Sequence, residues 1–112
     1  MTKEDERFQN SSQEKVKLTI ALKRYFEVSE DDPFKKIYGD YLQYRIWPAM
    51  EMLIEKEDLK KLQVVWEQNW ITKDQLERGL QYAREMGKLQ AHVWLMQRKT
   101  ERFSFAGKDF SL

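Results

Sequence analysis

The sequence predicts an all-α fold of about six short helices, and three observations carry that reading. Apolar residues recur at i, i+3, i+4 and i+7 along most of the 112-residue chain, the spacing that lines one face of a helix. Capping signatures stand ahead of several of these runs. With only four Gly and two Pro, breakers are too few for a protein of many strands and turns.

In chain order, residues 1–10 are polar and without period, which predicts a frayed, flexible N-terminus. Ser11 and Glu14 form a capping-box pair ahead of Leu18, Ala21, Leu22, Tyr25 and Phe26, the stripe of a first helix ending near Ser29. Asp32-Pro33 reads as an N-cap followed by proline at the first helical position. The second helix then carries Phe34, Ile37, Tyr38, Tyr41, Leu42 and Arg45 on one face, with Tyr44 and Trp47 on the next. Pro48 removes a backbone donor, so a break or strong kink is expected at Trp47-Pro48.

Met50, Leu53 and Ile54 make a short third helix, and Glu57-Asp58 supplies a turn and a new N-terminus. Leu59, Leu62, Val65 and Trp66 stripe a fourth, with Asn69 as its left-handed stop. Thr72 and Gln75 form a second capping box, flanked by Ile71 and Leu76 at the positions of a hydrophobic staple. The fifth helix presents Leu76, Leu80 and Ala83 and stops at Gly87, which takes a left-handed conformation without a Cβ clash. The sixth is expected to face inward with Leu89, His92, Val93, Met96 and Phe103. The tail SFAGKDFSL spaces Phe105, Phe110 and Leu112 around a Gly step, so it is expected to fold back over the last helix pair or to be received by a partner subunit.

Composition narrows the function classes. The absence of cysteine removes Cys–Zn sites, iron–sulfur clusters, disulfides and thiol catalysis together. No apolar run reaches the roughly 20 residues that span a bilayer, and MTKEDERFQN is too charged for a secretory h-region, so a cytoplasmic address is expected. Basic and acidic residues balance, 10 minus 11 over residues 1–56 and 10 minus 8 over the rest, which leaves no cationic tail for nucleic acid. Aromatic residues make up 13% of the chain, so there are large side chains to pack.

Laid against itself at an offset of 30 residues, the chain pairs Met50 with Leu80, Leu53 with Ala83, Glu57 with Gly87, Leu59 with Leu89, Leu62 with His92, Val64 with Trp94 and Val65 with Leu95. Such self-similarity is the signature of stacked helix pairs. The frame of Leu80, Ala83, Gly87, Leu89 and Leu95 resembles the two-helix core of ankyrin repeats. The phrase from Trp70 to Phe103 is similar to the ankyrin-like helical module at the ends of many poorly characterised bacterial proteins, especially from Firmicutes. The resemblance covers Met50 to Phe103, and the T-P-L-H opening and long hairpin fingers of true ankyrin are absent. It implies a binding scaffold: one helical domain over 11–103, with repeat-like pairs at 49–69 and 71–103 completed by the first two helices as a cap.

The residue types that carry chemistry are sparse. His92 is the lone histidine and falls on an apolar stripe, with no second ligand at metal spacing, which favours a packed histidine over a metal ligand. Glu55, Glu57 and Asp58 cluster at a helix boundary, where turn and N-terminal carboxylates are expected anyway. No nucleophile elbow, phosphate loop or dinucleotide fingerprint occurs. Phe34, Ile37, Tyr38 and Tyr41 share a helix face and are expected in the core, which leaves Tyr44 and Trp47 for a partner.

The function expected is therefore a non-catalytic protein–protein interaction or scaffold module, without cofactor, metal or membrane, meeting another protein or a second copy as a homodimer. Its candidate partner surface is Tyr44, Arg45, Trp47, Arg98, Lys99 and Arg102. The runner-up is a small nucleic-acid-binding regulatory protein using Arg45, Arg98, Lys99 and Arg102, against which the near-neutral charge weighs.

Overall fold

A computed structural model describes residues 1–103 of the chain. The all-α class holds, with seven helices and no strand among the described residues: α1 (Lys3–Asn10), α2 (Glu14–Arg24), α3 (Pro33–Tyr44), α4 (Ile46–Lys56), α5 (Leu59–Glu67), α6 (Lys73–Glu85) and α7 (Leu89–Phe103). The tail 104–112, with the expectation placed on it, lies outside the described residues. Two compact units divide the chain, Met1–Ala49 and Met50 onward.

In the first unit α1 packs on α2 and α2 on α3. Helix α1 is the seventh, found where the sequence predicted a frayed end. It has no apolar stripe; a capping box opens it, with Thr2 Oγ1 accepting from Asp5 N at 3.1 Å and Asp5 Oδ2 from Thr2 N at 3.2 Å. One large side chain then suffices to dock it. Phe8 is buried, edge-on to Tyr38 and Tyr41 at centroid distances of 4.8 and 5.2 Å. Asp5 is buried as well, its carboxylate accepting from Arg24 Nε at 3.1 Å and from the Tyr38 hydroxyl. Burial opposes that charge, but hydrogen bonds from Arg24, Tyr38 and Thr2 outweigh it and hold the Asp5 pKa well below the usual carboxylate range.

Three local expectations are corrected here. The Ser11 and Glu14 capping box does not form: Ser11 closes α1, Gln13 stands at the N-cap of α2, and the Glu14 carboxylate is taken by Tyr41 Oη at 2.6 Å and Arg45 Nε at 2.9 Å. Ile37 is exposed rather than core, while Phe34, Tyr38 and Leu42 are buried. The helix break comes at Arg45 (φ −106°, ψ 40°), ahead of Trp47-Pro48. A break there puts Pro48 in the first turn of α4, where backbone donors have no intrahelical partner and a missing N–H costs nothing.

In the second unit α6 packs on α7, and most caps form as the sequence predicts. Asp58 accepts from Lys61 N at 3.2 Å, and Thr72 and Gln75 close their box at 3.2 and 3.0 Å. Asn69 and Gly87 are left-handed at φ 63° and 69°. The corners at Glu57 and Gly87 share one backbone geometry. Glu57 N donates to Ile54 O at 3.0 Å and Asp58 N to Leu53 O at 3.0 Å; Gly87 N donates to Arg84 O at 3.2 Å and Lys88 N to Ala83 O at 2.8 Å. These are the two bonds of a Schellman stop, made twice by equivalent residues. Glu57 accordingly takes φ 50°, a conformation that disfavours a side chain. Between the corners lie Met50, Ile54, Leu62, Val65, Leu76, Ala83 and Leu95, all buried. Gly79 lets the backbone come close, since a Cβ there would meet Met50 Cε at 3.0 Å, Ile54 Cδ1 at 3.5 Å and Leu95 Cδ1 at 3.6 Å.

Candidate functional site

Helix α7 is apolar on two sides, and the unit it belongs to uses one of them. Ala91, Trp94 and Leu95 are buried. The Trp94 ring meets Trp66 edge-on at 6.4 Å, the Arg102 guanidinium lies 3.9 Å over Trp66, and Arg98 donates to Gln63 Oε1 at 2.9 Å. These contacts fix the rotation of the helix about its axis. With about 100° between successive residues, Leu89, Val93 and Met96 then fall within about 60° of one another on the opposite side. They are 72%, 47% and 45% exposed.

This corrects the expected inward stripe, because Leu89, Val93 and Met96 face solvent and His92 is only half-buried. The physical reason is area. Turning Trp94 and Leu95 inward removes more apolar surface from water than turning Val93 and Met96 inward, and lets two Trp rings and two guanidinium groups stack. A shallow groove lined by Leu59, Leu89, Gln90, Val93, Trp94 and Gln97 runs beside the row, and Met86, at the end of α6, is a further exposed apolar side chain.

The surface expected from sequence falls in both units. In the first, Tyr44 is 80% exposed with Arg45 stacked 5.3 Å from its ring centre, Arg45 is bound to Glu14, and Trp47 is half-buried. In the second, Arg98 pairs with Glu101 at 2.9 Å and stacks 5.1 Å from Trp94, Lys99 lies 3.5 Å from Glu77, and Arg102 covers Trp66. The three cations of α7 thus have partners within their own chain. Sequence reasoning missed the outward row, although the signal was present: Leu89, Val93, Met96 and Thr100 alternate steps of four, three and four, while Trp94 and Leu95 mark a second apolar face.

The acidic cluster at the first corner is also engaged. Glu55 accepts from the Tyr82 hydroxyl, Glu57 Oε2 from Ala91 N at 3.1 Å, and Asp58 from Lys61 N. The bond to Glu55, assisted by burial, pushes Tyr82 up to about 12. Burial and the bond to Glu14 do the same for Tyr41, also to about 12. Neither shift brings a phenol toward neutrality, where general acid–base work is done. Among the described residues no group of three His, Cys, Asp or Glu is placed to hold a metal ion, and no helix is long and apolar enough to cross a membrane. No known family, curated protein or solved structure matches the chain.

Proposed function

We propose that the chain is a non-catalytic protein–protein interaction module of the cytoplasm, its second unit organised as two ankyrin-like helix pairs. The matched corners at Glu57 and Gly87 support the repeat reading, because the same pair of backbone bonds recurs at the sequence offset. One observation carries the functional reading: the row of Leu89, Val93 and Met96 stands in solvent on a helix whose other face is already packed. Exposed apolar side chains aligned along a helix mark a surface that is covered in use, whereas scattered ones need no explanation.

The test is a pull-down from native lysate with the wild type beside Val93→Glu and Met96→Glu. Both variants should melt as the wild type does, since these side chains contribute little to the core, and both should lose proteins that co-elute with the wild type. An identical co-eluting set for all three would overturn the assignment of this face.

A further inference from the structure

We infer that the α7 face takes a second copy of α7, antiparallel, so that the module pairs with itself; the inference rests on the interaction reading above and names its partner. Leu89, Val93, Met96 and Thr100 follow the alternating four-three-four spacing of a coiled-coil seam, and all four are exposed. A seam of that period fits a facing helix better than a flat or strand-like partner, because its knobs need the holes between four residues of another helix.

The seam is also self-complementary. With the two-fold axis midway between Val93 and Met96, each Val93 meets the other copy's Met96 and each Leu89 meets the other copy's Thr100. A branched or small residue then lies opposite a longer one in every layer.

Charge favours this occupant. The seam carries none. One flank is Gln90 and Gln97, which fall opposite each other across the axis and whose amides both donate and accept. The other flank is His92 and Lys99, with Lys99 already 3.5 Å from Glu77 of its own chain. Two identical faces therefore meet with little like-charge repulsion. An anionic lipid surface would want a row of free cations beside the apolar residues, and a strongly charged protein would find no charge on the seam itself and a flanking Lys99 already beside Glu77. Helix α7 is 15 residues, about 22 Å long, so the interface is small and the dimer weak.

Sedimentation and light scattering of the full chain up to about 0.5 mM reach the range where a small interface is populated. The mass should climb with concentration from 13.7 kDa toward twice that value. Val93→Glu and Met96→Lys should each hold the protein at the monomer mass, with unchanged helicity and, at dilutions where the wild type is monomeric, unchanged melting. Mixed in equal amounts, the two variants should recover a dimer, because antiparallel pairing sets Glu at 93 against Lys at 96. Recovery with Val93→Glu and Val93→Lys instead would overturn the antiparallel register. A wild type that stays monomeric throughout would overturn self-pairing. In that case, loss of a lysate protein by Val93→Glu would leave the interaction reading standing with a different partner, and no loss would remove both.

Discussion

Glu57 Oε2 accepts a hydrogen bond from Ala91 N at 3.1 Å, so the corner that ends α4 caps the first turn of α7, 34 residues along the chain. The same residue is left-handed at φ 50°, a position where glycine is the natural choice. Its equivalent in the second corner is Gly87. Glu57 therefore trades local backbone strain for a cap on another helix, where a carboxylate also favours the positive end of the dipole.

Replacing Glu57 separates those two effects. Glu57→Ala loses the cap and keeps the strain, lowering stability by about 1 kcal/mol. Glu57→Gly loses the cap but relieves a left-handed strain of about 1 to 2 kcal/mol, so it should lie close to the wild type. Urea unfolding of both variants checks the order; Glu57→Gly falling well below Glu57→Ala would show that the side chain does more than cap.

At the second corner, Gly87→Val introduces only a backbone penalty, because nothing lies within 4 Å of the added Cβ. The expected loss is about 1 to 2 kcal/mol, and Gly87→Asn should lose less. Thermal melting of the two variants is the measurement.

Gly79 is limited by space, with Met50 Cε at 3.0 Å from the site of a Cβ. The end of a Met side chain moves easily, so Gly79→Ala should keep or raise stability by up to about 1 kcal/mol through helix propensity. Gly79→Leu should cost about 1 to 3 kcal/mol by overpacking. Chemical denaturation separates the two.

In the first unit, Asp5→Asn removes the buried member of a pair whose side chains are 2% and 14% exposed, while Arg24 keeps Glu27 at 3.0 Å. Stability should fall by about 1.5 to 3 kcal/mol at neutral pH, the range for hydrogen bonds to a charged group. Because the folded pKa of Asp5 is depressed, its contribution is fully present above the unfolded value of about 3.9 and is lost as pH falls toward the folded value. The gap between wild type and variant, followed by acid titration of the melt, should therefore shrink below about pH 4.

Binding to labelled single- and double-stranded oligonucleotides should be no tighter than about 10⁻⁶ M at physiological salt. Arg45, Arg98 and Lys99 already face Glu14, Glu101 and Glu77 at 2.9, 2.9 and 3.5 Å, so phosphate must compete with carboxylates in place. Nanomolar binding with a steep salt slope would revive the nucleic-acid reading.

What the sequence determined by itself was local. Thr72 with Gln75, Asp32 with Pro33, Asp58, Asn69 and Gly87 each act through hydrogen bonds or dihedrals within a few residues, and the structure has them where the pattern placed them. The two corners at Glu57 and Gly87 were legible for the same reason, since each is a short backbone motif. Tertiary structure decided the rest. Helix α1 lacks an apolar period and exists because Phe8 and Asp5 find Tyr38 and Arg24, partners remote in sequence. Glu14 left its expected box because Arg45 and Tyr41 offered a charge-assisted bond from another helix. On α7 both faces are apolar, so periodicity could not choose between them; the choice went to Trp94 and Leu95 because Trp66, Gln63 and the guanidinium of Arg102 complete that side. Leu89, Val93 and Met96 were left facing solvent by that choice.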